Sequence, residues 1–167
     1  DYLAIAASEE RVTKGRAALA RHRTALDAIS ARYGVDPEIL TAIWGLESFY
    51  GERQGLIPVI SATSTLAYEG RRGRFFEAQL LAALRIVQAG DIAAPRMTGS
   101  WAGAMGHTQC MPTVYQDYAV DFTGDGRRDI WSGDPTDALA TTASYLVDGG
   151  HALRVAHRAR PASGHAR

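Results

Sequence analysis

"YGVDPEILTAIWGLESFYG" (Tyr33–Gly51) decides the fold class. Gly34 can close one helix, Asp36 can cap the next, and Pro37 suits a first helical position. A helix is therefore predicted from Pro37 to Tyr50, closed by Gly51. On a wheel centred on Ile43, the residues Ile39, Leu46, Tyr50 and Leu40 fall within about 60° of it, and Glu47 falls at about 40°, inside that apolar arc. A carboxylate turned toward the core is partly desolvated, which disfavours its charged form and raises its pKa. That is how a protein keeps a general acid protonated near neutral pH. The structural alternative is a buried Glu paired with an Arg or accepting from backbone N–H groups.

Outward from this stretch, the pattern stays helical. Ser8 is a predicted cap for one helix running to about Arg32, with Val12, Leu19, Leu26 and Tyr33 recurring every seventh residue beside Ile29. Residues 52–70, with Gly55, Pro58 and "SATST", read as irregular. A helix is predicted from Gly73 to Ala89 on the face Phe76, Leu80, Leu84 and Val87. Residues 113–120 are a short helical candidate. "SGDPTDALATTASYLVDGG" repeats the cap logic, with Asp134 as cap, Pro135 first in the helix, Asp137 third, and Gly149–Gly150 at its end. The basic stretch 151–167 is expected to fray. With no alternating run long enough for a large sheet, a mainly α fold with a small non-helical part follows.

Composition narrows the function. The 167 residues are enough for one core, and 18 Lys+Arg balance 18 Asp+Glu. That balance gives no argument for nucleic acid or an anionic membrane surface. No apolar run reaches the length of a membrane span. The absence of an initial Met fits removal of a leader or of a longer N-terminal part. The single cysteine, Cys110, excludes an internal disulfide.

"GSWAGAMGHTQCMPTVY" (Gly99–Tyr115) is the second informative stretch. Its glycines let a ligand approach the backbone. Trp101, Met111 and Tyr115 offer apolar surface, and Gln109 offers a donor and an acceptor. Such a mixture suits a sugar, and it also suits an ordinary Gly-rich loop. "DFTGDGRRDIWS" (Asp121–Ser132) fits a twelve-residue calcium loop: Asp121, Thr123 and Asp125 at positions 1, 3 and 5, Gly126 at the turn, the Arg127 carbonyl at 7 and Asp129 at 9. Position 12 is Ser132 in place of the usual Glu. A metal-free turn held by Asx hydrogen bonds is the alternative.

Together, "YGVDPEILTAIWGLESFYG", "GSWAGAMGHTQCMP" and "YAVDFTGDG" closely resemble the B-type lytic murein transglycosylases, bacterial enzymes that cleave peptidoglycan. The likeness runs from about Arg11 to Gly150. It implies an α+β, lysozyme-like catalytic domain over 1–150, with Glu47 as acid then base. By the same resemblance Ser100, Gln109 and Met111 line the glycan groove, Tyr145 stands near the catalytic Glu, and Arg71 and Arg72 stand near the cleft. Some relatives bind a metal in the loop matching 121–132, so a structural Ca²⁺ stands beside the metal-free turn as a reading of this loop, and no cofactor is expected to be required.

Three positions depart from the family pattern. Cys110 replaces a usual Phe, which removes a stacking surface if the site faces the groove. His107 replaces Gln or a similar residue, expected to be tolerated on a loop. The C-terminal stretch lacks the family's continuation, and most of its N-terminal segment is missing, as in a compact variant or a fragment. No second acid shares the signature of Glu47, although hydrolysing glycosidases generally use two carboxylates. A lone Glu agrees with the family reaction, in which the muramic O6 hydroxyl attacks its own C1 and leaves a 1,6-anhydro end. A non-catalytic peptidoglycan-binding scaffold and a lysozyme-type hydrolase are the alternatives. Peptidoglycan strands are the expected partner, with no nucleic acid, a monomeric state, a periplasmic location, and membrane contact only through a removed N-terminal anchor.

Overall fold

The computed structural model describes residues 6–149. The helices, in order, are α1 (Glu9–Arg21), α2 (Arg23–Tyr33), α3 (Pro37–Ser48), α4 (Val59–Glu69), α5 (Gly73–Ala89), α6 (Pro112–Tyr118) and α7 (Thr136–Asp148). A 3-10 turn spans Ala94–Arg96, and the strands β1 (Ile57–Pro58) and β2 (Thr98–Gly99) form an antiparallel pair with Ile57 opposite Gly99. The fold is mainly helical with this one small sheet. No helix among the described residues is long and apolar enough to cross a membrane. The tail expected at 151–167 lies outside the described residues.

Two hydrophobic cores meet along α7. Leu26, Ile29, Leu40 and Trp44 pack with Leu139, Ala140 and Ala143. Val59, Ile86, Met97, Met105, Cys110, Tyr115 and Ile130 pack with Ala138. Alanines on α7 have almost no side chain to order on burial, and they let neighbouring helices come close.

Several elements differ from expectation. The first predicted helix is two, broken at His22 (φ −105°, ψ 18°). The break sets the His22 ring edge-on to Trp44, centroids 5.4 Å apart. Residues 59–69 are helical, not irregular: the hydroxyls of Thr63 and Thr65 donate back to the carbonyls of Val59 and Ser61, each at 2.8 Å, and so do not compete by forming turns. Helix α5 has the expected bounds but buries Phe76, Gln79, Ala82, Ala83 and Ile86, leaving Leu84 45% exposed. Gln79 is tolerated inside because its amide accepts from Thr113 N–H and donates to Thr113 Oγ1, both at 3.0 Å. Helix α7 starts at Thr136, with Pro135 as the cap residue, while Asp134 Oδ1 accepts from Thr136 N–H at 2.9 Å.

Helix α3 ends at Ser48, two residues early. Phe49 (φ 54°) and Tyr50 (φ 61°) are left-handed, followed by Gly51 (φ 88°). Two non-glycine residues there cost about 1–2 kcal/mol each. Tertiary contacts offset this. Lys14 Nζ and the Arg53 guanidinium lie 4.3 and 4.7 Å from the Phe49 ring centroid, and Tyr50 O–H donates to the Arg11 carbonyl at 2.8 Å.

Candidate active site

Helix α3 turns its side chains differently from the wheel reading. Its buried side is Leu40, Thr41, Trp44, Gly45 and Ser48, whereas Ile39 and Leu46 are 40% and 50% exposed. The arc is therefore split: Leu40 is buried, Ile43 and Tyr50 are half-buried, and Ile39 and Leu46 face outward with Glu47, which is exposed and not in the core. The wheel located the arc correctly but assigned the whole of it to the core, since apolarity alone does not say which side is covered. Even so, the surrounding protein desolvates the carboxylate enough to raise its pKa, and desolvation is the one cause. No described residue donates a hydrogen bond to Glu47 or pairs with it. Glu47 is thus neither buried nor paired among the described residues, and desolvation favours its protonated form.

The turn after Glu47 docks the Gly-rich loop. Ser48 Oγ donates to the His107 carbonyl at 2.5 Å and accepts from Gly51 N–H at 2.9 Å. Gln109 (φ 52°) donates through Nε2 to the carbonyls of Gln54 and Gly106, at 3.0 and 2.9 Å. Its Oε1 remains for a ligand. Ser100 Oγ accepts from Ala102 and Ala104 N–H at 3.3 and 3.1 Å, which leaves its O–H to donate. Met111 is half-buried at the start of α6. An apolar rim borders this loop: Leu56 is 89% exposed, Trp101 69% and Ile57 43%. On α7, Tyr145 is 39% exposed, its ring edge-on to Tyr118 at 5.2 Å. Arg71 and Arg72 are exposed in the α4–α5 turn, and Arg72 lies 4.1 Å from the centroid of Phe75. Neither Arg contributes a charge effect at Glu47.

Tyr115 is not part of the apolar platform. It is fully buried, and its O–H donates to the Arg128 carbonyl at 2.5 Å. Cys110 is 8% exposed and packs in the core, so it removes no stacking surface from a groove. Burial pushes its thiol up to about 12. His107 is no loop decoration: it is 4% exposed and bridges Trp44 to Ser132. Nothing in the spacing marked it, although a Cβ at Gly51 would lie 2.5 Å from its ring, so the adjacent glycine is the trace it leaves in the sequence.

The Asp loop is held by carboxylates. Asp121 accepts from the N–H groups of Gly124, Asp125 and Gly126 at 2.7, 3.1 and 2.8 Å. Desolvation works to raise its pKa, but these donors outweigh it and the net shift is downward. Asp129 Oδ1 accepts from the N–H groups of Trp131 and Ser132 at 2.9 and 3.1 Å. Asp137, expected in the third position of α7, instead reaches into the loop. It is 2% exposed and accepts from Phe122, Thr123 and Asp129 N–H at 2.9, 3.0 and 3.1 Å. Its pKa is raised because burial outweighs the three donors. Oxygens of Asp121, Asp125 and Asp137 lie within 4.8 Å of one another, a hard-oxygen set of the kind Ca²⁺ takes.

A helical body, a small sheet and a desolvated carboxylate beside a Gly-rich loop define a lysozyme-like domain. The transglycosylase SLT domain family matches residues 1–160, and the chain belongs to that family. It is 37% identical over 127 residues to membrane-bound lytic murein transglycosylase B of Escherichia coli, covering 75% of this chain and 35% of the relative. SltB3 of Pseudomonas aeruginosa, solved in complex with NAG-NAM-pentapeptide, is 56% identical with a TM-score of 0.86, covering 89% of this chain and 40% of that one. The Escherichia coli lytic transglycosylase Slt35, solved in complex with calcium, is 35% identical with a TM-score of 0.81, covering 86% and 46%. The chain therefore spans less than half the length of each of these relatives.

Proposed function

We propose that this domain is a lytic transglycosylase acting on the MurNAc–GlcNAc bond of peptidoglycan, with Glu47 as its single acid and base. The observation that carries the reading is the desolvated Glu47, without a partner among the described residues, at the docking point of the Gly-rich loop. The other carboxylate with a raised pKa, Asp137, is committed to three backbone donors and cannot serve as a second catalytic acid. Protonated Glu47 gives its proton to the glycosidic oxygen. Glu47 then takes the proton of the O6 hydroxyl as that oxygen attacks C1 of the same muramic residue. One group suffices because its protonation state alternates, and the attack is intramolecular. Ser100, Gln109 and Met111 line the glycan groove, with Tyr145, Arg71 and Arg72 at its borders. The substrate is found in the periplasm, where the domain acts as a monomer. Residues 1–150 form the catalytic unit.

A structural Ca²⁺ would be held by Asp121, Thr123, Asp125, the Arg127 carbonyl and Asp129, a reading supported by the oxygens of Asp121, Asp125 and Asp137 lying within 4.8 Å of one another. The ion would stabilise the loop by mass action and take no part in the chemistry. The catalytic assignment is tested by Glu47→Gln, which keeps the shape without the transferable proton. Parent protein solubilises purified murein, and the variant is expected to be slower by about 10²–10⁴-fold with an unchanged fold by circular dichroism. Normal digestion by the variant would sink the assignment.

A further inference from the structure

Building on the reading of Glu47 as the catalytic group, we infer that His107 is its positioning residue, fixing the last turn of α3 through Trp44 and Ser48. The two ties lie on either side of Glu47. One turn before it, Trp44 Nε1–H donates to His107 Nδ1 at 3.1 Å. Immediately after it, Ser48 Oγ–H donates to the His107 carbonyl at 2.5 Å. On its far side His107 is anchored to the segment closing the Asp loop. Its N–H donates to the Ile130 carbonyl at 3.0 Å, and its Nε2 lies 2.5 Å from the Ser132 carbonyl.

This geometry fixes the tautomer. Nδ1 accepts from an indole N–H, which has no acceptor role, so Nδ1 carries no proton. Nε2 faces a carbonyl oxygen, so it carries one. The ring is neutral and oriented, an acceptor toward the catalytic helix and a donor toward the loop. Gln54 Nε2, 3.4 Å from His107 Nε2, is then a second donor beside it and makes no hydrogen bond with the ring, donating instead to the Gly51 carbonyl at 3.4 Å. The charged groups that act on the ring are Asp129 and Asp134, with His22 on the other edge of Trp44. Gly51 leaves space for the ring, since a Cβ there would stand 2.5 Å from Cε1 and Nδ1. The direction of the Glu47 side chain depends on the rotation of a helical turn gripped at both neighbours by one residue. A misplacement of about 1 Å in a reacting group can cost on the order of 10²-fold in rate.

The test separates positioning from bulk packing. Asn places an acceptor near the Nδ1 position and restores the Trp44 bond, whereas Gln reaches only the Ser132 carbonyl and Leu makes neither bond. Steady-state kinetics on a soluble glycan strand are measured for the full chain, His107→Asn, His107→Gln and His107→Leu, with Glu47→Gln as reference. The expectation is that His107→Leu loses about 10- to 100-fold in kcat with little change in KM. His107→Asn recovers most of that loss, and His107→Gln does not. Parent-level kcat in His107→Leu overturns the inference, as does a loss confined to KM. Should His107→Leu fail to fold, Asn against Gln decides: equal or reversed kcat overturns the inference. An active Glu47→Gln reference would instead overturn the reading of Glu47 itself, which keeps the two failures distinct.

Discussion

Asp137→Ala should be the most damaging single change in the loop, although the residue makes no part of the proposed chemistry. Its carboxylate accepts three backbone N–H groups, from Phe122, Thr123 and Asp129, and it is 2% exposed. Hydrogen bonds to a charged group contribute about 1.5–3 kcal/mol each, and their loss orphans buried donors. Burial of the charge already offsets part of this, as its raised pKa shows. A net destabilisation of about 3–5 kcal/mol follows, the range seen when one side of a buried charged interaction is removed. At about 2–4 °C per kcal/mol for a chain of this size, the melting temperature should fall by about 6–20 °C. Asp137→Asn should fall between, because its carbonyl oxygen still accepts from Phe122 and Thr123 while its NH₂ meets the Asp129 N–H. The assay is thermal unfolding followed by circular dichroism, in chelator and in Ca²⁺. With an affinity of about 10⁻⁴–10⁻³ M, 10 mM Ca²⁺ should stabilise the parent by about 1.4–2.7 kcal/mol. Asp137→Ala should lose that response. A variant melting within about 2 °C of the parent in chelator would refute the assignment of Asp137 as organiser of the loop.

Two further outcomes follow from burial. Cys110→Phe overfills a packed core and should cost about 1–3 kcal/mol without tightening glycan binding; tighter binding in a titration would return Cys110 to the groove. His22 is held below its ordinary 6.5 chiefly by desolvation, with Arg21 also lowering it and Asp134 opposing. A depressed value in the folded state means that its contribution to stability is present above about 6.5 and is lost as pH falls through the folded value. His22→Asn should therefore lose less melting temperature than the parent between pH 7.5 and 5, and equal slopes would contradict this.

The sequence is most readable where Gly and Pro punctuate it. Pro37, Gly73 and Gly90 set helix limits that the structure keeps, whereas the helix expected at 113–120 runs from Pro112 to Tyr118. Two other features depend on tertiary contacts and leave no local signal. The break at His22 is set by packing on Trp44. The left-handed Phe49 and Tyr50 are held by cations and by a carbonyl from α1. Helix α4 hides behind a Ser/Thr pattern that reads as a turn until its hydroxyls are seen bonding backward. Glu47 was legible as an outlier on an apolar arc, but only Leu40 of that arc is fully buried while Ile39, Leu46 and Glu47 lie on the open face, which period alone cannot reveal. Asp137 was misplaced because a helix-cap pattern and a loop-organising carboxylate look alike in sequence, and the hydrogen bonds distinguish them.

The central claim is that one carboxylate performs both proton transfers and that no water enters the product. The measurement that tests it most directly is the mass of the muramic end released from purified murein by the parent protein. An intramolecular attack leaves a 1,6-anhydro end, lighter by one water than the reducing sugar. The account predicts anhydro ends throughout the digest, with the Glu47→Gln variant releasing neither form at the parent rate. Reducing ends would show that water is the nucleophile and would contradict the single-carboxylate account.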